Sequence, residues 1–207
     1  MSAPVDPEVR VDAKQRMIEA TIEELDARGP TQLRLKRIAQ QAGVSQSLVN
    51  THFGGREGLI AAAIAQRYPM IMEGILDRFA EVMGEVETRE QLAAALRTIA
   101  FDTLSGDRQV TRHVRLTALA IAEHNEEASQ IVDAVQQHAS ATIIATATPF
   151  AEKGLLAPGL TPVTFCCFWY TLLFGQVIVD SDPNFEAQAE DWVVLVDLLI
   201  DATLCPE

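Results

Sequence analysis

Apolar residues recur at helical spacing along most of the chain. Ile18, Ile22 and Leu25 repeat every three or four residues until Gly29, which predicts a first helix over about 12–28. No segment alternates strictly between polar and apolar residues, as a half-buried strand would, and no internal repeat occurs. The pattern therefore predicts an all-α fold.

Two more short helices follow the first. An apolar stripe from Leu35 to Ala42 predicts the second helix, and Gly43 can adopt the left-handed conformation that ends it. Ser45 is a suitable N-cap for a third helix, which Gly54-Gly55 ends. Three helices of this length enclose one small core.

Capping boxes mark the start of two helices. Asp12 with Gln15 would open the first helix, and Thr88 with Gln91 would open another that runs to about Leu104. In a capping box the two side chains satisfy backbone N–H groups that the helix itself leaves without a partner.

Longer helices fill the rest of the chain. We expect one over about 56–85 with a kink at Pro69, and further helical stretches on either side of a loop at 154–162. Thr161-Pro162 suits a cap followed by proline in the first helical position, so another helix runs to about Val179. A last helix follows it.

Charge is distributed unevenly along the chain. The 207 residues have a net charge of -13, but residues 1–60 hold eight basic and eight acidic side chains, so the excess acid lies in residues 61–207. Residues 27–56 contain five basic side chains and no acidic one. Such a segment is a candidate for contact with an anion such as DNA, although short basic clusters are often only solvated faces.

Composition favours a globular protein. Hydrophobic residues make up 48% and charged residues 22%, as is typical of such domains. No run reaches about 18 uninterrupted apolar residues, and the first residues lack the basic start and apolar run of a signal peptide. We therefore expect a cytoplasmic protein without a membrane span.

Motifs for catalysis or metal binding are missing from the sequence. There is no Glu-x-x-His, His-Glu-x-x-His, Gly-x-Ser-x-Gly, P-loop or dinucleotide-binding pattern, so we expect neither an enzyme nor a bound cofactor or metal. Cys166, Cys167 and Cys205 lack the spacing of a zinc site and fit buried small hydrophobes. The polar run 123–127 fits a solvated turn, but a helical-bundle enzyme or metal protein stays an alternative.

The segment LKRIAQQAGVSQSLVNTHFGGREGL, from Leu35 to Leu59, resembles the signature of the TetR family of transcriptional regulators. Its parts are an Ile-Ala helix, a Gly-Val-Ser turn, a recognition helix ending in His-Phe and a basic-acidic pair that opens the next helix. The resemblance covers about residues 12–65. It implies about nine helices, with a helix-turn-helix DNA-binding domain over 1–55, ordered from about residue 10, and a ligand-binding and dimerisation domain over 56–207.

The resemblance also implies which residues contact DNA. The third helix would lie in the major groove, where amide side chains can pair with adenine, and serine and threonine with bases or phosphates. The expected DNA contacts are Arg34, Lys36, Arg37, Ser45, Gln46, Ser47, Asn50, Thr51, His52 and Arg56. Simple capping by Ser45, solvent exposure of the polar side chains and a structural hydrogen bond at His52 are the alternatives.

Three positions depart from the family pattern. Asn50 stands where a tyrosine is common, Arg34 where serine or threonine usually caps the second helix, and Gly54-Gly55 replaces the usual loop. These departures affect which DNA is read. A protein of the same fold without DNA binding remains a second alternative.

The segment that ends at Val179 is apolar around most of its circumference and needs partners on two sides. The resemblance implies that the last two helices pair with those of a second copy, so that two recognition helices read a palindromic operator. The expected dimer contacts are Phe168, Leu172, Gly175, Trp192, Val196 and Leu199. The alternative is a central helix in the core of a monomer.

A pocket for a small, largely apolar effector is expected among the inner helices, because ligand pockets combine apolar walls with a few polar groups. The expected lining residues are Phe101, His113, Leu116, Thr117, His138, Thr142, Phe165, Trp169 and Tyr170. For each of the two histidines an ordinary surface or core position is the alternative and is the more common case. By the resemblance, the effector releases the dimer from double-stranded DNA.

Overall fold

The computed structural model of the protein describes residues 7–104, 109–179 and 189–204, apart from the side chains at 7–11, 30–31 and 189–193. Within these ranges the chain forms nine α-helices and, instead of a sheet, a single backbone bridge between Leu156 and Leu204. The all-α fold with about nine helices is therefore confirmed.

The helices are α1 (Pro7–Gln32), α2 (Leu35–Gln41), α3 (Gln46–Phe53), α4 (Arg56–Met83), α5 (Arg89–Leu104), α6 (Gln109–Ala122), α7 (Glu126–Glu152), α8 (Pro162–Val179) and α9 (Ala189–Thr203).

The start of α1 differs from the prediction. The helix begins at Pro7, where proline is tolerated because the first helical N–H needs no partner. The capping box is wrong, because Asp12 pairs with Arg16 one turn ahead. The predicted stop is confirmed, since Gly29 has φ 72° and ψ 170° and interrupts the helical geometry.

Two other helix starts form as expected. The side chain of Gln91 accepts hydrogen bonds from two backbone N–H groups, one of them that of Thr88 at 3.0 Å, and Thr88 Oγ1 accepts one from the Gln91 N–H at 3.3 Å. At the start of α8, Thr161 Oγ1 accepts a hydrogen bond from the Thr164 N–H at 3.1 Å, with Pro162 as the first helical residue.

The chain divides into two compact units. The first contains residues up to Met70 together with Thr117–Val132, and the second contains Ile71–Leu116 and the chain from Asp133 onward. Helices α4, α6 and α7 contribute residues to both units. The functional border expected between residues 55 and 56 stays a prediction, because compactness does not locate function.

The core of the second unit lies where α5, α8 and α9 pack together. Leu92, Trp169 and Ile200 are buried there. Two ion pairs link α5 to α9. Arg97 pairs with Asp197, and Arg89, the first residue of α5, pairs with Asp201 at 3.0 Å. Removing apolar area from water is the main stabilising term, and such exposed ion pairs add little.

Two described helices, α4 and α8, are long and apolar enough that length and composition alone would allow them to cross a membrane. Only 22% of the residues of the α8 stretch are buried, compared with 44% in α4. Helix α8 therefore has much apolar surface that the protein's own core does not cover.

Candidate nucleic-acid interface

Helix α3 has one buried side and one exposed polar side. Val49 is completely buried and anchors the helix. Gln46, Ser47, Asn50 and Thr51 are exposed. Because residues four apart lie on the same face of a helix, these four side chains form one surface, which we call the α3 polar face.

The turn between α2 and α3 is closed by the backbone. Gly43 has φ 66°, which favours glycine, and the Val44 N–H donates to the Ala39 carbonyl at 2.9 Å. Ser45 occupies the N-cap position of α3, but its side chain makes no cap hydrogen bond. Its Oγ instead lies 2.9 Å from Ser47 Oγ, so the expected capping role is wrong and the hydroxyl is exposed.

The basic residues at the N-cap and in the first turn of α2 have different surroundings. Arg34 and Lys36 are exposed. Arg37, by contrast, points at a carboxylate: its Nε and Nη2 donate to Glu24 at 2.9 Å and 2.8 Å, and Nη2 also donates to the Gln32 carbonyl at 2.7 Å. Arg37 therefore joins α2 to α1, a structural role that the sequence reasoning missed.

Glu24 is the centre of this ion cluster. It is only 4% exposed and also accepts a hydrogen bond from Arg28 at 2.9 Å. The hydrogen bonds from Arg37 lower the pKa of the Glu24 carboxyl, burial opposes that shift, and the charge of Arg28 adds to it. A signal was available in the sequence, because Glu24 lies seven residues after buried Met17 and thus on the apolar stripe of α1.

Helix α4 starts in close contact with the end of α3. A Cβ atom on Gly58 would lie 1.9 Å from the carbonyl oxygen of Phe53, so only glycine fits there. The Lys14 ammonium lies 5.9 Å from the centre of the Phe53 ring, and the His52 ring 6.2 Å from it. His52 and Arg56 are both half-buried beside the α3 polar face.

The comparisons with known proteins agree with this geometry. The family model described as bacterial regulatory proteins, tetR family, matches residues 17–63. The HTH-type transcriptional regulator BetI 1 of Chromohalobacter salexigens is 31% identical over 83 residues, which make up 40% of each protein. The chain thus matches about two fifths of the length of this relative.

Solved structures share the whole fold. A TetR-family transcriptional regulator from Mesorhizobium loti superposes with a TM-score of 0.64 at 14% identity, over 93% of this chain and 95% of that one. Residues 17–63 therefore match the TetR family, and the chain as a whole shares the fold of this regulator. The matched family and the Chromohalobacter relative are transcriptional regulators.

Two other solved structures of this fold contain ligands. A transcriptional regulator from Saccharomonospora viridis in complex with choline has a TM-score of 0.67 at 13% identity, over 95% of this chain and 100% of that one. FadR from Bacillus subtilis in complex with stearoyl-CoA has a TM-score of 0.59 at 20% identity, over 90% of this chain and 96% of that one. At these identities the likeness concerns the fold alone.

The expected pocket residues lie in different surroundings. Phe165 and Trp169 are buried in the core, Thr117 and Thr142 are half-buried, and Tyr170 lines a groove of about 350 Å³ between α7 and α8. The other four are exposed: Phe101, His113, Leu116 and His138. Tyr170 is the one of the nine that lines this groove, and none of the nine lines a second, smaller cavity between α4, α5 and α6.

The expected dimer contacts also divide. Phe168 is exposed, and Gly175 faces open space. Leu172 and Leu199 pack against the core of the second unit, and Val196 is buried inside it. The side chain of Trp192 lies outside the described residues.

Other apolar side chains of the same two helices are exposed. Ile178 of α8 and Leu198 of α9 are 72% and 62% exposed, and Val163, Val194 and Leu195 are exposed as well. With Phe168 and Gly175 we call these residues the α8–α9 apolar face. The α9 residues expected from the sequence, Val196 and Leu199, lie on the side of the helix that faces the core.

A metal centre has no support among the residues that the structure describes, where no three His, Cys, Asp or Glu side chains are arranged to hold an ion. Burial raises the pKa of the Cys166 thiol to about 11. The thiolate that would bind a metal or act as a nucleophile is therefore scarce at neutral pH.

Proposed function

We propose that this chain is a ligand-responsive transcriptional repressor that binds a palindromic DNA operator as a homodimer and leaves it when a small effector binds. The α3 polar face supports this best. Four exposed hydrogen-bonding side chains stand on a helix anchored by fully buried Val49, in a segment that contains basic residues and no acidic one. A helix held in this way can enter the major groove.

Sequence reading is proposed for the amides of this face. Gln46 and Asn50 each offer a donor and an acceptor, the pair that matches the major-groove edge of adenine. Ser47 and Thr51 suit bases or phosphates, and the Thr51 hydroxyl already donates to the Ser47 carbonyl at 3.1 Å. We therefore assign base reading mainly to the two amides.

Phosphate contact is proposed for Lys36. It is exposed on α2 and forms no ion pair with any described residue, whereas Arg37 is bound to Glu24. Arg56 adds charge at the first turn of α4, where backbone N–H groups also attract anions. These side chains fix the position of the protein on the duplex without reading its sequence.

A second copy of this chain is the proposed partner of the α8–α9 apolar face. One recognition helix of eight residues is about 12 Å long and reads only a few base pairs. Two copies related by a twofold axis read two half-sites and thereby gain discrimination. An exposed apolar surface on two helices of the same unit is also what an obligate interface needs.

Release by an effector is proposed as a population shift. A ligand that binds better to one arrangement of the dimer favours that arrangement, with a coupling of about 1–3 kcal/mol. The neighbours that contain choline and stearoyl-CoA are consistent with effectors that differ widely on this fold.

The test starts from random double-stranded DNA. Fragments that bind the purified full-length chain are selected and sequenced, and we expect an inverted repeat to be enriched. The affinity for that fragment should fall with salt, by about 0.9 in log K per log salt for each phosphate neutralised. Failure to enrich any sequence, or binding that does not respond to salt, would contradict DNA recognition.

A further inference from the structure

Arg115 of α6 is a buried cation. It is only 9% exposed, and its guanidinium lies over the rings of Tyr170 and Phe174, 5.0 Å from the centre of each. Its Nη2 donates a hydrogen bond to the Tyr170 hydroxyl. Its Nε is buried and has no hydrogen-bond partner. The guanidinium is thus held in place by aromatic groups that leave one of its donors unused.

No carboxylate among the described residues pairs with Arg115. A charge removed from water is costly unless an opposite charge and hydrogen bonds compensate for it. Stacking on aromatic faces recovers part of that cost but neutralises nothing. Glu24 offers a contrast within the same protein, because two arginines surround that buried carboxylate.

A cavity of about 90 Å³ lies beside this arginine. Its apolar wall comes from Ile75, Phe79 and Ile99. Its polar lining is rich in cationic residues: among the residues that the structure describes, it contains Arg78, Arg112 and Arg115 and one acidic residue, Asp102.

The other charged groups of the wall are already engaged. Arg78 donates hydrogen bonds to Asp102 at 3.0 Å and to Glu81 at 2.8 Å. The carboxylate of Asp102 is therefore already paired with Arg78. Arg112, which is 4% exposed, donates to the Thr103 carbonyl. Among the described lining residues the balance of charge is positive, and Arg115 has a buried donor without a partner.

We infer that this cavity binds the carboxylate of a small organic acid, with Arg115 as its principal partner, and this assignment of an effector class rests on the proposed function. Guanidinium binds carboxylate through paired, charge-assisted hydrogen bonds. The apolar wall takes the short hydrocarbon part of the acid. A quaternary ammonium such as choline is disfavoured, because Arg115 already covers the aromatic faces that would hold it.

The first experiment compares ligands of one shape and different charge on the full-length chain. Butyrate and benzoate should bind in calorimetry and raise the melting temperature, whereas butyramide, benzamide and choline should do neither. Inorganic phosphate is included as an anion without an apolar part. Equal binding of acid and amide, or binding of phosphate in preference to both acids, would overturn the inference.

The second experiment tests the assigned residue. Arg115→Met keeps the length of the side chain and removes its charge, so benzoate affinity should fall at least tenfold while the melting temperature without ligand stays the same or rises. Arg115→Lys should bind benzoate with intermediate affinity, because it keeps the charge but loses the planar pair of donors. Arg97→Met, which removes an exposed arginine of the same unit, is the control and should bind like the wild type.

Undiminished binding by Arg115→Met would remove the residue from the site. The comparison of acid with amide in the wild type does not depend on the folding of any variant.

Operator DNA separates this inference from the proposed function. Benzoate should release the wild type from the selected operator but not Arg115→Met, which should still bind that DNA. If the wild type binds the operator, but the acids neither bind the protein nor release it from that DNA, the inference fails and the proposed function is retained. If the wild type binds no operator, the proposed function fails, and calorimetry with benzoate still decides the cavity's ligand.

Discussion

Helices α3 and α8 both have a face that the protein's own core leaves uncovered, and the chemistry of the two faces is opposite. On α3 the uncovered side chains are amides and hydroxyls, among them Gln46 and Asn50. On α8 they include Phe168 and Ile178. Water solvates the first set well and the second set poorly.

The difference indicates what kind of partner each face requires. Exposure of a polar face to water carries no free-energy penalty, so its partner can bind reversibly, as an operator must. An apolar face gains most from a partner that is always present, such as a second copy. The two faces therefore fit one protein that stays dimeric and binds DNA reversibly.

The largest effect is expected from charges placed on the α8–α9 apolar face. A double change, Ile178→Glu with Leu198→Glu, puts carboxylates where a second copy would bury them, and each buried charge costs several kcal/mol. The dimer dissociation constant should rise more than about 100-fold, as measured by analytical ultracentrifugation. Met70→Glu is the control, because Met70 is 66% exposed on α4.

An unchanged dimer mass in the double variant would mean that the copies pair elsewhere or not at all. Recovery of the wild type only from detergent-extracted membranes would instead assign the apolar face to lipid. Either result would contradict the proposal that the α8–α9 apolar face has a permanent protein partner while the α3 polar face has a reversible one.

The next effect comes from the junction of α3 with α4. Gly58→Ala sets a methyl group against the Phe53 carbonyl, so the backbone must shift and α3 must move with it. Affinity for operator should fall at least about tenfold in a fluorescence anisotropy titration. The dimer mass should stay unchanged, because this contact lies within the first unit.

Gly74→Ala is the matched control in the same helix. A Cβ atom there meets no heavy atom within 4 Å, so the change should be neutral or stabilise α4 by up to about 1 kcal/mol. Equal loss of DNA affinity in both variants would mean that α4 as a whole, and not the contact with Phe53, sets the recognition helix.

These two regions also differ in how far the sequence predicted them. The α3 polar face could be read from a short segment, because the glycine at 43 and the apolar spacing around Val49 fix which residues face outward. From Trp192 to Ile200 every position of α9 except Asp197 is apolar, so periodicity alone could not separate the buried side, with Ile200, from the exposed side, with Leu198.

Long-range pairing was beyond the sequence for a different reason. Arg37 was expected from the resemblance to contact DNA, and its ion pair with Glu24, on another helix, could not be read from the sequence. Arg115 was not recognised at all, since its aromatic partners Tyr170 and Phe174 come from α8. A charged residue at a core position of a helix, as at Glu24, is the local signal that such a partner exists.

A moderate effect is expected when Glu24 is neutralised. Glu24→Gln leaves two arginines without their buried carboxylate and should lower the melting temperature at pH 7 by about 5 °C. Glu19→Gln, an exposed change on the same helix, should have little effect. A melting temperature equal to that of the wild type would show that the ion cluster does not hold α2 on α1.

The same variant predicts a pH dependence. Because the folded protein lowers the pKa of Glu24 from its ordinary value of 4.5, its ion pairs stabilise the fold fully above that pH. The contribution is lost as the pH falls through the lowered pKa. The wild type and Glu24→Gln should therefore differ above pH 4.5 and converge below it in thermal melts, and a constant difference down to the acid limit would contradict the shift.

The smallest effects are expected from single DNA contacts, and they distinguish a phosphate contact from a base contact. Lys36→Ala should weaken binding to all sequences about equally and reduce the salt slope by about 0.9, because one phosphate contact is lost. Asn50→Ala should keep that slope and relax the preference at one base pair, by about 1–3 kcal/mol. Both quantities come from anisotropy titrations on the operator and on single-base variants at several salt concentrations. A reduced slope in Asn50→Ala with preference intact would mean that the amide touches backbone, and α3 would then lie across the groove and not within it.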